Sequence, residues 1–293
     1  MPDLRDMELL AALARNMHFA RAAAECGISQ PAFSTRIRNL ELDLGAPIVK
    51  RGNRFMGFTN EGEIALRWAH RMIADAEGLR QEIDEARGVL SGQLTIGTVP
   101  TALTFVANLA ARLRQAHAAL MIEVYSLSAA EIAQGLEDFS LDAGVSYLET
   151  ELPAAHRVEF TFEERYELLV PQDRAAEFDG KITWSQAAEI PLCLLTRNML
   201  NRKIIDDAFA SANVRPNIVM ETNAFSVALV QVGNSTAATI APEILADNLK
   251  TTAGLARLKL VEPEIAKAMG VVISEREPML PAVSALVALF EPD

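Results

Sequence analysis

The sequence predicts an α/β protein in three parts: an α-rich N-terminal domain, one long helix, and a larger α/β body. Three observations predict it. Apolar residues recur at three- and four-residue spacing through the first sixty positions, a single uninterrupted helical stripe follows, and beyond Ser91-Gly92 β-rich runs alternate with helical stretches. The 293 residues allow two domains, or three if one is small, at about 150 residues each.

In the first part, Met7, Leu10, Ala11 and Ala14, then Phe19, Ala22, Ala23 and Cys26, form the stripes of two short amphipathic helices. Gly27 can adopt the left-handed conformation that ends a helix, and Ser29 can cap the next by accepting a free backbone N–H. Pro31 then falls in the first turn, where its missing N–H has no helical partner to lose. Phe33, Ile37, Leu40 and Leu44 continue the inner face, so Gln30, Ser34, Thr35, Arg36, Arg38 and Asn39 form the outer one. Short polar and guanidinium groups at a helix N-terminal half match the donor and acceptor edges of a DNA major groove. A second reading, a helix-turn-helix used only for protein contact, leaves a basic, hydroxyl-rich outer face without a purpose.

From Thr59 or Asn60 to about Leu90, Ile64, Trp68, Met72, Ala76, Leu79 and Ile83 recur at three or four residues, which predicts one long helix. At about 1.5 Å per residue such a helix projects beyond a compact core, so it calls for a partner helix. The alternative is a solitary helix lying on its own domain.

In the body the predicted strands are QLTIGTV, MIEVYSL, LDAGVSYL, YELLVP, PLCLLT, NIVMET, TAATIAP, LARLKLV and GVVISE. Ligand crevices of open α/β sheets lie beyond the strand carboxyl ends. Here those ends carry Thr98 and Thr101, Ser126 and Ser128, Thr196-Arg197-Asn198, and Thr222-Asn223. Hydroxyls at converging helix N-termini favour a small anion or a carboxylate-bearing molecule, with Arg197 or Arg202 as counter-charge. Each site taken singly reads better as an ordinary cap, and Ser128-Ala-Ala-Glu131 has the capping-box pattern.

Composition narrows the function. Half the residues are hydrophobic and 23% are charged, an ordinary globular balance, and no apolar run reaches the roughly 18 residues of a membrane span. The opening residues lack a secretory pattern, so the chain is expected in the cytoplasm. Cys26 and Cys193 lie far apart, without a CxxC or a histidine cluster, so neither a disulfide framework nor a metal site is expected, and nothing calls for a cofactor. The net charge of −12 is uneven: residues 1–60 hold eight Lys/Arg against six Asp/Glu, a head of +2 on a body of −14. That is compatible with nucleic-acid binding by the head alone.

At HFARAAAECGISQPAFSTRIRNLELDLGAPIVKR and the following TNEGE, the sequence resembles the winged helix-turn-helix of LysR-type transcriptional regulators over some fifty contiguous positions. The resemblance implies that Ser29, Gln30, Pro31, Ser34, Thr35, Arg36 and Arg38 present the DNA-reading face, while the wing residues Arg51 and Arg54 reach phosphate or the minor groove. Family members commonly carry arginine directly after the serine. Here Thr35 stands there and Arg36 follows, which leaves open which of the two reads bases. The long helix is then the linker that pairs with a second subunit, and the resemblance favours a dimer of dimers on an operator with a two-fold repeat.

The body resembles the family's effector-binding region, with the two-lobed fold of type 2 periplasmic binding proteins. On that resemblance residues 1–60 are the DNA-binding domain, 61–90 the linker, 91–163 with 267–293 lobe I, and 164–266 lobe II. The matching cleft positions are Thr98, Pro100, Thr101, Ser128, Tyr147, Thr196, Arg197, Asn198 and Thr222. The expected function is a DNA-binding transcriptional regulator controlled by a small ligand between the lobes. A small-molecule-binding protein of the same fold without specific DNA binding is the alternative. An enzyme is not expected: His18, His70, His117 and His156 are scattered, and no nucleophile elbow, phosphate loop or HExxH occurs. His156 reads as a solvated residue of a lobe-crossing loop, and Cys193 as a mid-strand core residue. A peroxide-sensing thiol would need a resolving partner, which the body lacks.

Overall fold

The computed structural model describes residues 2–50, 55–149, 156–248 and 254–290. Its first helix, α1 (Leu4–Asn16), starts at a reciprocal cap in which the Asp3 carboxylate accepts the Asp6 N–H at 2.8 Å. The short α2 (Phe19–Glu25) is capped by His18, and Gly27 at φ +69° turns the chain as expected. In α3 (Gln30–Leu44) Ser29 is the N-cap and Pro31 lies in the first turn. These helices enclose a core of Leu10, Leu13, Ala22, Ala23, Phe33, Ile37 and Leu40, closed by Ile48 and Phe58 of a wing and by Ala69. Leu44 departs from the expected inner face and is 43% exposed. Glu41 ties α3 to the wing, accepting the backbone N–H groups of Ile48 and Val49 at 3.0 and 3.3 Å.

The long helix α4 spans Asn60–Ala86, capped by Thr59. Its buried residues are Gly62, Ala69, Gly78 and Gln81, the first two against the head and the last two against the body. The predicted stripe lies elsewhere. Ile64, Trp68, Met72, Leu79 and Ile83 are 40–62% exposed on a face that no other described element covers.

The body follows in alternating order: β1 (Gly92–Thr98), a short 3-10 turn at Pro100–Ala102, α5 (Leu103–Ala116), β2 (Leu120–Ser126), α6 (Ala129–Glu137) and β3 (Ala143–Tyr147). The chain then enters β4 (His156–Pro171), and continues through β5 (Lys181–Thr183), α7 (Trp184–Glu189), β6 (Leu192–Leu195), α8 (Leu200–Ser211) and β7 (Ile218–Thr222). It ends with α9 (Phe225–Gly233), β8 (Thr239–Pro242), α10 (Glu243–Asn248), β9 (Leu255–Val261), β10 (Ala266–Ser274) and α11 (Pro281–Ala288).

Among the described residues, eight strands form one curled sheet in the order β2-β1-β3-β10-β4-β9-β5, with β8 also on β4, and β6 pairs with β7. The sixteen-residue β4 joins the two lobes. Its first part, to Arg165, pairs antiparallel with β10, and its remainder from Tyr166 with β8 and β9. A strand therefore makes the crossing where a loop was expected, and His156 begins it opposite Ser274. The lobes also meet where α10 packs on α5 and on the turn at Pro100–Ala102.

Candidate functional site

Two places gather the residues that the sequence singles out. On the head, Gln30, Pro31, Ser34, Thr35 and Arg38 are all exposed along α3, and positions 31, 34, 35 and 38 share one helical face by their spacing. Ser29 is exposed but engaged as the cap, and Thr35 donates back to the Pro31 carbonyl at 2.9 Å.

Arg36 does not join that face as expected. Its Nε meets Asp6 Oδ1 and its Nη2 meets Asp3 Oδ2, each at 2.9 Å. The cause is the capping box of α1, which places two carboxylates beside α3. Hydrogen bonding to Asp6 raises the Arg36 pKa, and Asp3 is held below the usual carboxylate range, chiefly by the Asp6 backbone N–H. Arg36 thus clamps α1 to α3, leaving Thr35 and Arg38 outward. Arg51 and Arg54 lie outside the described residues.

The second place is the interlobe cleft. Its lining is Val99, Pro100, Thr101, Leu127, Ser128, Ala129 and Tyr147 from lobe I, with Leu195, Met199, Leu200 and Asn201 from lobe II. These surround a cavity of about 10 Å³, near the volume of one water. Four of the nine expected residues line it: Pro100, Thr101, Ser128 and Tyr147. The others do not. Thr98 is fully buried below, its hydroxyl on the Val99 carbonyl; Thr196 bonds Asn198; and Thr222 receives the Ala224 N–H.

Beneath the lining lies an acid that the sequence reading missed. Glu164, 2% exposed, accepts from Tyr147 at 2.6 Å and Tyr166 at 2.5 Å, while the Tyr147 hydroxyl also meets Thr101 Oγ1 at 3.2 Å. Burial raises the Glu164 carboxyl, opposed by the two tyrosine hydrogen bonds, and pushes both tyrosines well above their ordinary value. An available signal was the alternation of Val158, Phe160, Phe162, Glu164 and Tyr166, a strand pattern with a carboxylate on one face.

The expected counter-charges are engaged elsewhere. Arg202 is 1% exposed and bonds the Leu195 carbonyl, Glu221 and Asp206 at 2.8–2.9 Å. Arg197 is largely exposed, 3.5 Å from Glu221. Ser128 completes its capping box with Glu131, whose carboxylate already occupies that helix N-terminus. Among the described residues, no free cation faces the cavity. The anionic ligand expected from the sequence therefore lacks its counter-charge.

The four histidines occupy separate places, at the caps of α2 and α5, on α4 and at the start of β4, and no His/Cys/Asp/Glu group among the described residues could hold a metal. Cys193 is fully buried, with its thiol pushed up by desolvation, the reverse of an activated thiolate. No described helix is long and apolar enough to cross a membrane.

A helix-turn-helix head on a long helix, joined to a body built around a two-lobed cleft, defines a DNA-binding regulator with an effector domain. Residues 4–63 match the model of the bacterial regulatory helix-turn-helix protein, lysR family, and residues 87–292 match the LysR substrate binding domain. The chain belongs to the LysR family of transcriptional regulators.

It is 25% identical over 279 residues to the hydrogen peroxide-inducible genes activator of Haemophilus influenzae, covering 94% of this chain and 92% of that protein. It is 28% identical over 248 residues to the Hca operon transcriptional activator of Escherichia coli, covering 82% and 81%. In fold it is similar to a full-length OxyR cysteine-to-aspartate variant from Pseudomonas aeruginosa, with TM-score 0.74 at 20% identity over 98% of this chain and 94% of that one. It is also similar to full-length CbnR complexed with its target DNA, with TM-score 0.69 at 18% identity over 98% of both chains. Both relatives are activators of gene expression.

Proposed function

We propose that this regulator binds a two-fold repeated operator through α3 and its wing, as a dimer paired along α4 and assembled further into a dimer of dimers. A small molecule held between the lobes sets its activity. In this reading residues 1–60 are the DNA-binding domain and 61–90 the linker; 91–163 with 267–293 form lobe I, and 164–266 form lobe II. Gln30, Pro31, Ser34, Thr35 and Arg38 read the groove, Ser29 presents the helix N-terminus to phosphate, and Arg51 and Arg54 supply the wing contacts. The protein works in the cytoplasm, where its DNA lies.

The observation that carries the reading is the pairing of two exposed faces on one rigid segment. The polar face of α3 faces outward, and no other described element covers the apolar stripe of α4 from Ile64 to Ile83. Large apolar side chains repeated along 27 helical residues are what a second copy would bury, and the pairing would present two heads to two half-sites. A binding protein without specific DNA recognition gives the α3 face nothing to do.

A footprint of the purified protein on the DNA beside its own gene, at fixed salt with excess non-specific competitor, tests it. A competitor-resistant footprint with a two-fold repeat is expected. Its absence with folded, oligomeric protein on verified flanking DNA would transfer the weight to the binding-protein reading.

A further inference from the structure

We propose that the interlobe cleft takes a small uncharged molecule that both donates and accepts hydrogen bonds, and that Asn201 is the side chain that reads it. This rests on the reading of the cleft as the effector site and goes beyond it in naming the ligand class and a recognition residue.

Asn201 lies in the first turn of α8, whose N-cap Met199 offers no side-chain acceptor. It is 3% exposed, it lines the cavity, and among the described residues neither its amide oxygen nor its amide nitrogen has a hydrogen-bond partner. A buried amide unsatisfied at both ends is rare in a native structure and costly to keep. The cavity as it stands has room for about one water, so a ligand that satisfies both ends enters as the lobes part.

The chemistry of the two walls restricts that ligand further. Tyr147 and Tyr166 both donate to Glu164 Oε1, so Thr101 donates to Tyr147 and turns its lone pairs to the cavity. Lobe I therefore offers acceptors, and Asn201 opposite offers a donor and an acceptor. Leu195, Met199 and Leu200 supply an apolar flank, and among the described residues no charged side chain lines the cavity. A carboxylate brings no donor for Thr101 and no partner for its charge. An ammonium brings no acceptor for Asn201 Nδ2 and no direct counter-ion. A primary amide or hydroxylic compound with a short apolar part fits both walls.

The test is calorimetric titration of the full-length protein with three probes of matched shape, propionamide, propionate and propylammonium, at equal ionic strength. Propionamide is expected to bind at least about tenfold more tightly than either ion. Asn201→Leu should lose that binding while its thermal midpoint rises, because the unsatisfied amide is gone, which separates a lost ligand contact from a lost fold. Asn201→Asp should turn the preference towards propylammonium. Preference for propionate, no binding by any probe, or undiminished propionamide binding by Asn201→Leu would each overturn the proposal. A footprint with bound propionamide separates the two levels. If it is unchanged, the ligand class stands and the regulatory reading of the cleft fails.

Discussion

Replacing Leu79 by glutamate tests whether the exposed face of α4 is an interface. Leu79 is 62% exposed in the C-terminal part of the stripe, so pairing would bury most of its side chain. Full burial of a leucine gives about 1.5–3 kcal/mol, which scales here to about 1–2 per copy and about 2–4 for a symmetric pair. Each substituted carboxylate must also be desolvated or protonated at the seam, adding about 1 kcal/mol or more apiece. A total of about 4 kcal/mol or more is close to a thousandfold in dissociation constant. Glutamate is itself a good helix former, so the loss would not come from unwinding α4. Sedimentation velocity over a dilution series gives the dissociation constant, and gel shifts on a full operator and a half-site give the consequence. The variant should lose the α4-paired state at concentrations where the parent keeps it, falling to at most the smaller assembly that contacts between bodies hold. It should lose tight binding to the full operator and keep weak half-site binding, since the head has its own core. A variant that keeps the α4-paired state within about tenfold of the parent would refute the reasoning, because the predicted loss is near a thousandfold.

Two further substitutions bear on the head and on the body. Arg38→Ala should weaken specific binding by about 1–3 kcal/mol if it contacts a base, whereas Arg36→Ala should chiefly lower the head's thermal midpoint by freeing Asp3 and Asp6; gel shifts beside thermal melts check the contrast, and the opposite pattern would restore Arg36 as the reader. Asp142 accepts the Thr95 N–H at 2.8 Å, and burial pushes its carboxyl from 3.8 up to about 6 against that bond and the Arg276 charge. Between those values the folded state holds a proton that the unfolded chain has released, so stability falls as pH rises through the window and stays lower above it, by about 3 kcal/mol at most. Asp142→Asn keeps the acceptor without the charge, and urea titrations should show a gain of about 1–3 kcal/mol near pH 7.5 with a flatter profile below pH 6.

What was legible in the sequence was local. Ser29, Pro31 and Gly27 mark the turn into α3 through backbone chemistry within a few residues, and they fall where expected. The strand runs followed from composition, except where assumption outweighed pattern. The first part of β4 alternates Val158, Phe160 and Phe162, a strand signal passed over because a crossing was expected to be a loop. The three residues of β5 are too short to show a period. What was not legible is long-range. The role of Arg36 is set by carboxylates 30 and 33 positions away. Of the cleft, the hydroxyls on lobe I were found because they follow strand ends. Asn201 was not, since its isolation depends on how α8 lies against the other lobe. Arg202 sits beside it in sequence, yet its guanidinium turns to Glu221 and Asp206.

The contacts of α4 also decide by which route a ligand can reach the DNA. The helix is locked to lobe I. Gly78 approaches Leu280 so closely that a Cβ would lie 2.8 Å from its Cδ2, and Gln81 bonds the Gln93 carbonyl at 2.9 Å and the Ala282 N–H at 3.1 Å. Arg276 meets Asp75 at 2.5 Å, and His70 lies 3.6 Å from Asp138. Among the described residues lobe II has no comparable hold on α4: it joins lobe I through β4, through the return into β10 and through α10. On the proposed reading, closing or opening the cleft would therefore move lobe II against a unit in which head, helix and lobe I travel together. Within one chain such a motion leaves α3 where it was. It can alter DNA binding only by changing how lobe II meets another copy, and the exposed Val219 and Val230 of lobe II, 56% and 58% accessible, supply surface for such a contact. It follows that Leu79→Glu, once dissociated, should bind a half-site with the same affinity whether or not propionamide occupies the cleft, while the parent's operator binding responds. Fluorescence anisotropy on a labelled half-site, with cleft occupancy verified by calorimetry, measures this. A ligand-dependent shift in the dissociated variant would place the coupling inside the chain, and the locked seam between α4 and lobe I would have to give way to produce it.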